Sequence, residues 1–194
     1  MLIDPQAYAK IFVGLTMPPE LMPLLDFYNS CGPDLFSQGF EMEIAEEVDY
    51  ALTSYSENPQ FTNAFRKIGQ STGSGSLYYF WRQDGISDLG AVPIVNFGDE
   101  GGMNVVATNF RQLLQNLTCD CECRSAYNER FAEAGEEPSG QAAAYCKWLL
   151  DNYGITAIDG QTANRDNVKP AQAQYGQAFK DWLLTFGINS DNYG

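Results

Sequence analysis

There is no histidine anywhere in the 194 residues. Its absence removes the Ser-His and Cys-His nucleophile systems, imidazole general bases and most catalytic zinc sites together. Cations are scarce as well: eleven Lys and Arg face twenty-five Asp and Glu, for a formal charge of −14. Such a balance repels a polyanionic backbone and argues against DNA or RNA as a direct ligand, whereas a cationic partner would be attracted. Excess acidity also serves simply to keep a protein in solution, so charge alone does not choose between these readings. Long apolar runs are missing too. The stretch Ile11 to Leu15 is too short for a signal core or a spanning helix, and the start Met-Leu-Ile-Asp carries no basic region, so a cytoplasmic location without membrane insertion is expected. Five cysteines, three of them crowded at Cys119, Cys121 and Cys123, do not form the even, spread-out set of a secreted disulfide framework and read as reduced thiols.

What is present is a globular composition, 44% hydrophobic and 13% aromatic, with eighteen glycines and nine prolines for turns. A chain of this length reads as one domain, able to bury roughly 70% of the surface its unfolded form exposes. The most informative stretch runs from Thr72 to Leu117. Leu77 to Arg82, Val92 to Phe97 and Met103 to Ala107 are β-forming runs separated by Gly-rich or acidic loops. A helix follows, with Thr108 or Asn109 as its N-cap and Phe110, Leu113, Leu114 and Leu117 along one face. Either Tyr78 with Phe80 or Tyr79 with Trp81 faces away from the first layer of core, outward or beneath a helix.

Upstream, Leu21, Leu24, Leu25 and Tyr28 share a helical face closed by Gly32, with Pro23 confined to the first turn. Glu41 to Tyr55 carries Ile44, Val48, Ala51, Leu52 and Tyr55 at helical spacing and predicts a helix with a solvated acidic face. Phe61 to Ile68 fits a helix or a strand, and its place before a Gly/Ser turn favours the strand. Thr118 to Ser139 reads as loop, with a short helix around Tyr127 to Ala134. Two helices close the chain: one capped by Ser139 with a stripe from Ala142 to Tyr153, the other opened by Pro170 with a stripe from Tyr175 to Phe186. Each ends in aromatic-Gly-Ile, a glycine stop followed by an apolar residue that can fold back.

The chemically suggestive motifs are weak. Gly73-Ser74-Gly75 lacks the lysine of a phosphate loop and the spacing of a dinucleotide loop, so it reads as a turn. Asp99 and Glu100 could in principle form a carboxylate pair, but adjacent residues point apart. Cys119, Cys121 and Cys123 would lie on one side of an extended segment, yet they lack the C-x2-C spacing of structural zinc and leave the fourth ligand to Cys31 or Cys146. No cofactor is expected.

In order along the chain, PPELMPLLDFYNSCG, TGSGSLYYFW, VPIVNFGDEGG and VVATNFRQLLQNL resemble the SUKH superfamily of cell-wall-assembly regulators and polymorphic-toxin immunity proteins. The resemblance covers about residues 16–117, leaving 118–194 as a C-terminal helical extension of a single domain 1–194. It departs from the family in having Ser30-Cys31-Gly32-Pro33 where a Gly-Gly pair would stand and a longer stretch from Glu41 to Phe61. It implies an α+β fold with a mixed or mainly antiparallel sheet, helices packed against it and no catalytic residues. The implied function is protein binding: neutralisation of a bacterial toxin, often a nuclease, or alternatively a regulatory scaffold role with an endogenous partner. Contact with a basic protein would fall at Glu43, Glu46, Glu47, Asp49, Asp99 and Glu100, with nearby aromatics as anchors.

Overall fold

A computed structural model describes residues 2–43, 48–83, 85–99, 101–124, 130–131 and 137–190. Its centre is a five-stranded antiparallel sheet in simple sequential order: β1 (Glu41–Met42), β2 (Phe65–Gln70), β3 (Leu77–Trp81), β4 (Ile94–Phe97) and β5 (Met103–Ala107). Each of the last three strands matches a β-forming run of the sequence. The turn between β2 and β3 needs Gly75, whose φ of 113° is accessible only without a Cβ, and it is closed by Ser71 N–H donating to Ser76 O at 2.7 Å. The expected α+β class holds, with the sheet wholly antiparallel.

Strand residues alternate between two buried faces. On one face Tyr78, Phe80, Ile94 and Val106 pack against α1 (Pro5–Ala9), α2 (Leu21–Ser30), α5 (Phe110–Asn116) and α6 (Ala142–Tyr153). On the other Phe65, Tyr79, Trp81, Val95, Phe97 and Val105 meet α3 (Tyr50–Tyr55), α4 (Pro59–Thr62) and the chain's last helical run, 160–184. Burial on both sides explains why LYYFW is continuously apolar: neither pair, Tyr78 with Phe80 or Tyr79 with Trp81, reaches solvent.

Local rules place the helices. Asn109 Oδ1 accepts from Gln112 N–H at 3.0 Å, so the cap of α5 is Asn109, while Thr108 bonds to the Gln112 side chain. Pro23 is the third residue of α2, where its missing N–H has no intrahelical carbonyl to seek, and Gly32 follows the helix with φ 68°. The aromatic-Gly-Ile ends behave as expected: Gly154 and Gly187 have φ of 65° and 75°, and Ile155 and Ile188 turn back into the core. Arg111 of α5 ties three helices together, donating to Glu20 Oε1 at 2.6 Å beside α2 and to Tyr153 O at 2.7 Å at the end of α6.

Four expectations are corrected. Glu41 to Tyr55 is not one helix: Glu41–Met42 pairs with β2, and helix resumes only at Tyr50, where Asp49 caps it by accepting from Leu52 N–H at 3.2 Å. The pairing depends on Gly69, because a Cβ there would lie 2.4 Å from the Glu41 carbonyl oxygen. Phe61 to Ile68 divides between α4 and β2, with Asn58 capping the former. Pro170 does not open a helix; the run starts at Gly160 with Asp159 as its cap and continues through Pro170. A π-helical stretch, Ala163–Val168, precedes the proline, and the wider turn relieves the ring clash that an α-helix would impose. Ser139 likewise does not cap α6, since its side chain is committed elsewhere. The helix expected at Tyr127 to Ala134 lies outside the described residues, except that Phe131 forms a bridge with Cys123.

Candidate functional site

With both sheet faces covered, the sheet is accessible only along its edges. β1 pairs only with Gly69 and Gln70, so the rest of β2 borders an open groove of about 700 Å3. Ala7, Lys10 and Ile11 of the N-terminal helical segment form one wall, Asp49, Leu52 and Thr53 the other, and Phe65, Arg66 and Lys67 the floor. Arg82 N–H donates to Ala64 O at 2.8 Å, which sets the antiparallel alternation so that Phe65 and Lys67 turn their backbone groups toward the groove. The Arg66 guanidinium folds back onto the Phe65 carbonyl at 2.6 Å, and the Tyr8 hydroxyl donates to Ile68 O at 3.3 Å. Burial, and secondarily the neighbouring Arg82, pull the Arg66 pKa below its ordinary value.

The groove contains part of the expected acidic contact set. Lys67 Nζ lies 3.5 Å from Glu43 and 3.7 Å from Asp49, bringing those two carboxylates around one ammonium. Asp49 also accepts from the Tyr79 hydroxyl at 3.1 Å, and burial, reinforced by Asp49, raises the Tyr79 pKa so that the phenol stays a donor. Glu43 accepts from Gln70 Nε2 at 2.9 Å. Exposed Val48 also lines the groove. Asp99 is elsewhere: its carboxylate accepts from Ser76 Oγ and its N–H donates to the same oxygen at 3.1 Å, joining the β4–β5 hairpin to the β2–β3 turn. Glu46, Glu47 and Glu100 lie outside the described residues. Lys10, Arg66 and Lys67 were missed by reading only for acids; the Arg66-Lys67 pair inside an otherwise β-like run was the available signal.

The cysteine segment is not extended. Asp120 adopts a left-handed conformation (φ 50°, ψ 46°) between Cys119 and Cys121, and its carboxylate is a clamp that accepts from Gln38 N–H at 2.9 Å and from the Ser139 N–H and Oγ, each at 2.6 Å. Cys119, Cys121 and Cys123 are all buried in the first core. The thiol of Cys119 is raised by its hydrogen bond with Cys121 and by burial; that of Cys123 is pushed up to about 12, chiefly by burial. Among the described residues no group of three or more Cys, Asp or Glu side chains is placed to hold a metal ion. Nor is any described helix long and apolar enough to cross a membrane.

Comparison with known proteins gives no match: no family model, no curated protein and no solved structure matches the chain.

Proposed function

We propose that this chain is a non-catalytic protein-binding module of the immunity type, acting in the cytoplasm by covering the working face of a basic toxin at the β2 groove. The observation that carries this reading is the short β1, which leaves most of β2 as a strand edge in an open groove with Glu43 and Asp49 at its side. An extended segment of a partner laid along β2 would meet main-chain groups in the groove and side-chain pockets on either side. The −14 charge of the whole chain would speed encounter with a cationic protein, an advantage screened as salt rises. The order of motifs shared with the SUKH superfamily over residues 16–117 supports the same class of function.

The test is titration calorimetry of the purified chain against the toxin domain encoded beside its gene, at low and moderate salt. A stoichiometric complex is expected, weakened by roughly tenfold or more when the exposed groove residue Val48 is replaced by a cation that repels a basic partner, V48K. An unaltered affinity in that variant, or no complex at low salt, would refute the assignment.

A further inference from the structure

The two sides of the β2 groove carry opposite charge. Antiparallel pairing sets Arg66 opposite Phe80 and Lys67 opposite Tyr79. Phe80 belongs to the face covered by α1 and Tyr79 to the face covered by α3, so the Arg66 side chain stands on the α1 side and the Lys67 side chain on the α3 side. On the α1 side Lys10 is exposed and has no acid partner among the described residues, and Arg82 adds to the positive potential around Arg66. The bonds from Arg66 to the Asn63 and Phe65 carbonyls satisfy donors without cancelling its charge. On the α3 side the balance is reversed. Lys67 faces Glu43 and Asp49 together, and Glu57, just beyond α3, is exposed and has no cationic partner among the described residues. The main chain adds a constraint. The Phe65 carbonyl is taken by Arg66 and that of Ile68 by Tyr8, which leaves the Lys67 carbonyl as the open acceptor of this margin among the described residues. With so short a ladder available, selectivity has to come from side chains.

We infer that the segment docked along β2 alternates acidic and basic residues, its carboxylates turned toward Lys10 and Arg66 and its cations toward Asp49 and Glu57. Successive side chains of an extended strand point to opposite sides, so alternation puts each sign against one wall, whereas a uniformly basic segment sets half its charges against Lys10 and Arg66. This requirement rests on the reading of the β2 groove as a docking site, and adds acidic residues to what a basic partner must present there. The −14 charge of the chain draws a cationic partner from a distance, and the polarised groove then selects among segments on contact.

The experiment is titration of the whole chain, followed by backbone amide NMR at low salt, with the end-blocked peptide Glu-Lys-Glu-Lys-Glu-Lys-Glu-Lys and separately with Glu-Glu-Lys-Lys-Glu-Glu-Lys-Lys. Composition and net charge are identical, so general attraction to the chain is the same and only the pattern differs. Saturable shifts around Lys10, Arg66 and Glu57 are expected with the first peptide, and binding of the second should be at least about fivefold weaker. K10E should weaken binding of the alternating peptide about fivefold, and K169E, the same charge change at an exposed position of the last helical run, should leave it within about twofold. Equal affinity of the two peptides, no saturable shift at the groove, or an equal loss in K169E would each overturn the proposal. The peptides need no toxin. Discrimination between them without any toxin complex would refute the immunity reading alone, and a toxin complex weakened by V48K without such discrimination would refute the alternation alone.

Discussion

Phe179 decides whether the C-terminal helical run is an appendage or a structural layer. Its ring is 1% exposed and stands 4.7 Å from Trp81 in an edge-on arrangement, 6.4 Å from Phe65 and 6.4 Å from Trp182. Truncation of a buried Phe to Ala costs about 3–5 kcal/mol, transfer and cavity contributions together. Phe179 also borders a cavity at β5, so water can enter part of the space it vacates. That limits the cavity contribution and places Phe179→Ala at the lower end, about 3 kcal/mol. With a urea dependence of about 2 kcal/mol per molar, the unfolding midpoint should fall by roughly 1.5 M. Tryptophan fluorescence reports the loss directly because Trp81 and Trp182 flank the vacated ring, while far-ultraviolet circular dichroism follows the helices. If the run is a layer of one cooperative core, the two transitions move together. A shift below about 0.5 M, or helix signal lost in a separate step with the Trp81 environment unchanged, would refute the two-faced core.

Three further outcomes test the interior. Asp120→Ala should destabilise by about 3–5 kcal/mol, losing charge-assisted hydrogen bonds to Gln38 and Ser139 and placing a Cβ without local compensation in the left-handed region; Asp120→Gly should recover about 1 kcal/mol of this, and equal urea midpoints for the two would show that the backbone conformation is immaterial. The thiol of Cys123 is raised from an ordinary 9.0 to about 12, so the folded form holds its proton more tightly than the unfolded chain: the associated stability is intact below about pH 9 and is lost as pH climbs toward about 12. At pH 8 Ellman's reagent should modify the half-buried Cys146 in the native protein and reach Cys119, Cys121 and Cys123 only on unfolding; prompt reaction of all five would contradict their placement.

Local chemistry was readable where it acts over a few residues. The β-forming runs at 77–82, 92–97 and 103–107, the Asn109 cap with its leucine stripe, and the glycine stops at 154 and 187 all follow from near neighbours in sequence. Errors arose where a partner far along the chain decided the outcome. Glu41–Met42 is a strand because Gly69 lets its backbone approach, and no periodicity within 41–55 contains that fact. Ser139 looked like a cap until Asp120 claimed both its N–H and its hydroxyl. Pro170 looked like a helix start because the sequence does not display the π-turns that accommodate it. The groove was half visible for the same reason: its acids stand out in composition, but the Lys67 that gathers them does so only once β2 is aligned with Glu43 and Asp49.

The way the sheet is enclosed bears on where function can reside. A sheet with helices on both faces spends its apolar side chains on internal layers and leaves main-chain groups accessible only along its two margins. At β5 the margin is covered by the last helical run, and a small cavity lies between them. At β2 the margin is only partly covered by β1, and there Lys10, Arg66 and Lys67 gather. A cation on a strand edge can serve merely to discourage sheet-to-sheet association. That role accounts for an exposed lysine, but not for Lys67, whose side chain is only 12% exposed and is directed at two carboxylates on an adjoining segment. Lys67 is better understood as fixing the acidic wall of the groove in position, which gives the groove a shaped and charged surface rather than a loose one.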